Sequence, residues 1–153
     1  MTNKPQDRAE GKMSHKELVE KAKQWLIQAK GCNPVFTEKG SQRISEMPDA
    51  IGWNGHNCYV VEAKVSMADF NADKKKPHRT DGGMGNLRYF LVPKEIENEA
   101  MKKLPIGWGL LSIRMNEFVS QIRLMGSNEH TRNLKAEVFY LRSRILEIQR
   151  YGA

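Results

Sequence analysis

Asp49, Glu62 and Lys64 are the residues whose types and spacing point to chemistry. Each stands in a stretch that otherwise reads as a strand: Met47 to Trp53 for the first, Cys58 to Val65 for the other two. Glu62 and Lys64 are two apart, so on a strand they project from one face, and Val61, Ala63 and Val65 from the other. Asn54-Gly55 joins the two stretches and is a strong hairpin signal. A two-residue loop, Asn54-Gly55, pairs Trp53 with His56 and sets Asp49 opposite Val60. A four-residue loop, Asn54 to Asn57, pairs Trp53 with Cys58 and sets Asp49 opposite Glu62. Both registers keep Asp49 on the Glu62 face, because only an odd slip changes faces. The second brings the two carboxylates side by side, with Cβ atoms ~5 Å apart. Two carboxylates that close repel unless a positive charge lies between them. A divalent cation meets that need, and Mg²⁺ is typically held by one or two carboxylates with waters and a substrate phosphate. The Lys64 ammonium is then placed to hold a water or a phosphate oxygen. Metal, water and cation beside a phosphate make a hydrolytic phosphodiester site.

The elements that must position these residues are legible in outline. Residues 1 to 13 are polar and read as a frayed arm. Ser14-His15-Lys16-Glu17 has the form of a capping box, and Leu18, Val19, Ala22, Trp25, Leu26 and Ala29 follow at helical spacing up to Gly31. Val35 to Thr37 is a short strand. Cys58 to Val61 is apolar on both faces, which suits a central buried strand. Ser66 reads as the N-cap of a short helix through Asp73. Residues 74 to 86 read as a mobile basic loop. Leu87 to Val92 is a strand, Lys94 to Lys103 a helix, Trp108 to Met115 a strand, and Phe118 to Leu124 its return. Asn128 to Tyr151 carries Leu134, Val138, Leu141, Ile145 and Ile148 on one stripe, so a long amphipathic helix is expected to close the domain. This order predicts an α/β fold with a mixed sheet.

The residues also resemble a known family. Pro48-Asp49, twelve intervening residues, then Glu62-Ala63-Lys64 resembles the PD-(D/E)XK nuclease signature. The run from Val61 to Phe70, with Asp73-Lys74-Lys75-Lys76-Pro77, is similar to its MmcB-like and phage-encoded members. So are Gly83-Met84-Gly85, Arg88 to Pro93, and Leu104 to Leu111. The resemblance covers roughly residues 14 to 115. It implies a restriction-endonuclease-like core, mixed β-sheet flanked by α-helices, with the nuclease-like domain over 14–125. The C-terminal helix, 126–153, lies outside the resemblance and is expected to pack on the same domain. It implies Asp49, Glu62 and the carbonyl of Ala63 as ligands of Mg²⁺ or Mn²⁺, and Lys64 as the cation that orients the attacking water. A further acid commonly comes from the first helix. Glu17, Glu20 and Glu38 are candidates, and Glu20 is preferred because it follows Leu18-Val19. The implied activity is a metal-dependent deoxyribonuclease in DNA repair, recombination or phage DNA processing. The alternative is a catalytically silent DNA-binding module on the same fold.

Composition is compatible with that reading. The 153 residues carry 25 Lys and Arg against 18 acids, a formal charge of +7, which suits a polyanionic partner such as DNA. Lys74, Lys75, Lys76, Arg79 and Arg88 are the candidate phosphate contacts, with a solvated charge run as the plain alternative. A (D/E)xK pattern alone is weak: it also occurs at Glu10-Lys12 and Asp73-Lys75. Only Glu62-Lys64 ends a buried strand beside a second acid-bearing strand. Cys32 and Cys58 lack metal-ligand spacing and suggest a reducing cytoplasm, and the four histidines fit no HExxH or HxxxH pattern. The N-terminus has no apolar core of a secretory signal and no run suits a bilayer, so a cytoplasmic chain without a membrane partner is expected, in a bacterial or phage-infected cell. Trp25, Trp53 and Trp108 read as core. The basic residues of the last helix alternate with Glu137 and Glu147 and read as mostly solvated. The apolar stripe of that helix could serve a homodimer.

Overall fold

The computed structural model describes residues 12–38, 47–73, 83–123 and 132–152. The elements run α1 (His15–Gln28), β1 (Val35–Thr37), β2 (Ala50–Asn54), β3 (Asn57–Ala63), α2 (Met67–Asp73), β4 (Leu87–Pro93), a 3₁₀ turn (Lys94–Ile96), α3 (Glu97–Lys102), β5 (Gly109–Ile113), β6 (Ser120–Arg123) and α4 (Leu134–Tyr151). The six strands form one sheet in sequence order. β1, β2 and β3 pair antiparallel, β3, β4 and β5 parallel, and β6 returns antiparallel along β5. The fold is therefore α/β with a mixed sheet and a long C-terminal helix. Each parallel step needs a crossover, and α2 and α3 lie in those two crossovers.

Alternation along the strands builds two layers of core. Val61 and Ala63 of β3, Tyr89 and Leu91 of β4, and Leu111 and Ile113 of β5 face α1 and its buried stripe Leu18, Val19, Ala22, Trp25 and Leu26. The opposite face carries Phe90, Val92 and Leu110 against Phe70, Ala100 and Trp108. Beside them Ile51, Cys58 and Val60 pack on Met84 and Tyr140. Burying side chains of this size contributes roughly 1.5–3 kcal/mol each. Trp25 and Trp108 are core as expected, while Trp53 is half-buried.

Three expectations are corrected. Residues 83–86 are not loose loop: Met84 is fully buried, and Gly85 adopts φ +84°, where an added Cβ would meet Val60 Cγ2 at 2.7 Å. Met13 joins the core beneath α1, so the polar arm ends before it. The third correction concerns α4. Its stripe does not face the sheet: Leu134 is 58% exposed, Val138 63%, Ile145 50% and Ile148 43%. Glu137, Tyr140 and Arg144 turn inward instead. Two of these are charged residues that the alternation argument leaves solvated.

Polar anchors explain the inversion. Glu137 Oε2 accepts from the Gly85 amide at 2.8 Å and from Arg132 Nε at 2.9 Å. Its Oε1 accepts from Arg132 Nη2 at 3.0 Å and from Trp53 Nε1 at 3.4 Å. Arg144 lies over the Phe36 ring, 4.9 Å from its centroid. A buried carboxylate with that many donors fixes the roll of the helix more firmly than an apolar stripe does. Glu137→Ala is expected to lower stability by about 3 kcal/mol, since it removes one partner of a buried ion pair. Urea unfolding followed by far-UV circular dichroism measures it.

Candidate metal and phosphate site

The β2–β3 ladder has the register Trp53↔Cys58 and Ala50↔Val61, which carries Asp49 opposite Glu62. β1 pairs Thr37 with Ala50, and the Glu38 amide donates to the Asp49 carbonyl at 3.1 Å. Continued one step past the strands, these registers set Glu38, Asp49 and Glu62 level with one another across three strands. The β2–β3 ladder ends at Ala50↔Val61, short of Ala63. The amide of Ala63 therefore takes its hydrogen bond from a side chain: it donates to Asp49 Oδ2 at 2.8 Å.

His15 of α1 completes the cluster. Its Nε2 lies 3.3 Å from Glu38 Oε2 and 3.5 Å from Asp49 Oδ1. Ligand atoms of His15, Glu38 and Asp49 fall within 4.8 Å of one another. The α1 capping box positions the imidazole. Ser14 Oγ accepts from the Glu17 amide at 3.1 Å, and Glu17 Oε1 accepts from the Ser14 amide at 2.8 Å. Glu17 serves as a cap, and His15 follows the N-cap directly.

Electrostatics ties the three together. The hydrogen bond to Asp49 raises the His15 pKa to about 9, against an opposing effect of burial. Burial pushes the Asp49 carboxyl up, but the His15 and Ala63 hydrogen bonds outweigh it and hold the group below the usual carboxylate range. Burial, then the charge of Asp49, push Glu38 up. The donor set is one imidazole nitrogen and two carboxylates. That chemistry fits a divalent ion, and an imidazole in the set favours transition metals over Mg²⁺, which prefers oxygen and water.

Beyond the carboxyl end of β3 lies a cleft of about 370 Å³ lined by His15, Ala63, Lys64, Asp69, Ala72 and Asp73. Open α/β sheets place ligands at this end of their parallel strands. Lys64 Nζ contacts Asp73 Oδ1 at 2.9 Å, and both side chains are largely buried. The cleft is therefore lined both by His15, one member of the three-ligand cluster, and by a fixed ammonium.

The residues singled out from sequence divide as follows. Ala63 and Lys64 line the cleft, and Asp49 adjoins it through His15 and the Ala63 amide. Glu62 is 3% exposed and level with Asp49, but it is not part of the three-ligand group among the described residues. Glu20 is exposed on α1 and is not part of the three-ligand group among the described residues, whereas Glu38 is. Arg88 is corrected. It is 1% exposed, and its guanidinium donates to the Gly85 and Gly83 carbonyls at 3.0 and 2.6 Å, so it braces the chain entering β4 rather than meeting phosphate. Lys74, Lys75, Lys76 and Arg79 lie outside the described residues. His15 and Asp73 were missed. Zinc-protease spacing is the wrong template for a histidine whose partners come from distant strands. Asp73 reads as a helix-surface acid until α2 is docked against Lys64. Cys32 and Cys58 are buried, and burial pushes both thiols up, the first to about 11, which disfavours either as a nucleophile.

No protein-family model and no curated protein matches the chain. Among solved structures it is similar to SPO1766, a protein of unknown function from Silicibacter pomeroyi, with 21% identity and a TM-score of 0.63. That similarity covers 100% of this chain and 97% of the other. It shows a shared fold. Among the described residues no helix is long and apolar enough to cross a membrane.

Two outcomes test this geometry. The His15 ring protons, followed by NMR, are expected to titrate near 9, and Asp49→Asn to move the midpoint down toward 6.5. The raised value also means that the pairing supports the fold fully below the unfolded value of 6.5 and loses that contribution as pH rises through about 9. Asp73→Ala removes the carboxylate bonded to Lys64 and is expected to lower stability by about 3 kcal/mol in urea unfolding.

Proposed function

We propose that this protein is a metal-dependent deoxyribonuclease of the PD-(D/E)XK type, with Asp49, His15 and Glu38 as metal ligands and Lys64 as the phosphate-facing cation. The observation that carries the reading is a three-ligand cluster whose His15 lines the same cleft as a largely buried ammonium held by Asp73. A divalent ion in that cluster supplies Lewis acidity and an acidified water for phosphodiester hydrolysis. Lys64 offers its charge to a phosphate oxygen, and Asp73 holds the ammonium in place. Asp49 keeps its orientation because the Ala63 amide binds its second oxygen. Glu62, level with Asp49 and buried, supplies a further carboxylate at the same depth of the sheet. The formal charge of +7 favours a polyanionic substrate such as DNA. Mn²⁺ suits the imidazole-containing donor set better than Mg²⁺.

A second reading has its own support. His15 already neutralises part of the acid pair, and Lys64 is already matched by Asp73. Such a self-contained network also suits a catalytically silent DNA-binding module.

Cleavage of labelled single-stranded, duplex, flap and four-way-junction DNA, with Mn²⁺, Mg²⁺ or EDTA, separates the two. The nuclease reading expects metal-dependent cleavage that falls at least ~100-fold in Lys64→Ala and in Asp49→Asn. Mn²⁺ binding, read by electron paramagnetic resonance, is expected to weaken in His15→Ala. In wild type it is expected to tighten as pH rises toward 9, because the metal must displace the His15 proton. Salt-sensitive DNA binding without cleavage or metal uptake would establish the silent module.

A further inference from the structure

We propose that α4 is a dimerisation element: a second copy of this chain packs along the seam Leu134, Val138, Leu141, Ile145 and Ile148. The helix is inside-out for a monomer. It turns Glu137, Tyr140 and Arg144 to its own sheet and leaves four seam residues between 43% and 63% exposed. A folded monomer rarely leaves so continuous an apolar line in water. The seam residues are spaced four, three, four and three apart, the period at which two helices mesh side by side.

The occupant is argued by exclusion and by size. The segments of this chain outside the described residues hold few large apolar side chains: Met1, Ile44, Leu124 and Met125. These are too few and too scattered to cover a five-residue line. Nucleic acid is disfavoured by chemistry, since the seam itself offers it no charge; the flanking row alternates Lys135, Arg142 and Gln149 with the exposed apolar Phe139 and Leu146. The exposed fractions leave roughly 400 Å² of apolar seam per copy, close to the ~450 Å² of non-polar area that one partner contributes to a standard interface. At its Ile148 end the seam adjoins a mixed groove of about 430 Å³, where Val35, Phe36 and Tyr151 stand beside the charged Lys23, Arg144 and Glu147. A two-fold pair is the simplest closed assembly for such a face, because each seam is the complement of the other.

Sedimentation equilibrium of the full chain from roughly 1 to 100 μM, the range that spans a micromolar dissociation constant, tests this. The expected result is a species of twice the 17.6 kDa chain mass. Val138→Lys with Ile145→Lys is expected to give the monomer mass with an unchanged far-UV spectrum, since both side chains are more exposed than most core positions. If that double variant fails to fold, Ile145→Ser alone is expected to weaken association at least ~10-fold. A wild-type monomer across the whole range would overturn the proposal and assign the seam to a different partner. A dimer that persists in a folded seam variant would overturn it as well. Mass is read without metal or DNA, so these outcomes are independent of the nuclease reading.

Discussion

The amide of Ala63 needs an acceptor that the sheet does not give it. A buried backbone donor without a partner costs roughly 1–3 kcal/mol, so the requirement is strict. The β2–β3 ladder ends at Ala50↔Val61, short of that level, and the Asp49 side chain supplies the oxygen. The bond turns one carboxylate oxygen inward and leaves the other toward His15.

The charges around that bond fall into two self-balanced sets. On one side the His15 imidazolium sits between Glu38 and Asp49. On the other Lys64 is matched by Asp73. Each set is anchored by a different helix, α1 through its capping box and α2 through its last residue. Both helices are held by core contacts on opposite faces of the sheet, so the cleft inherits its shape from the two hydrophobic layers.

Much of the fold was legible because local patterns and tertiary packing agree. The apolar spacing of Leu18 to Leu26 and the two-faced burial of Cys58 to Val61 led directly to α1 and to a central β3. The hairpin could be read to two registers, and only packing chooses Trp53↔Cys58. Of the site, Asp49 and Lys64 were visible because strand alternation is local, while Ala63 and Glu38 entered only with the family resemblance. His15 and Asp73 required knowing which helix ends come near, and nothing in residue spacing reports that. The orientation of α4 went against its pattern for a similar reason. Apolar periodicity states that a face will be covered, but Glu137 decides which face meets the sheet.

The position of His15 at the first turn of α1 has a consequence for the local field. A helix N-terminus carries about +0.5 of an elementary charge, and here it points toward two acids. The protonated imidazole offsets one of the two carboxylates. Exchanging that single proton for a dication raises the local charge by one unit without moving a backbone atom. In the nuclease reading, loading would thus make the cleft less repellent to a phosphodiester at the moment when the means to cut it arrives.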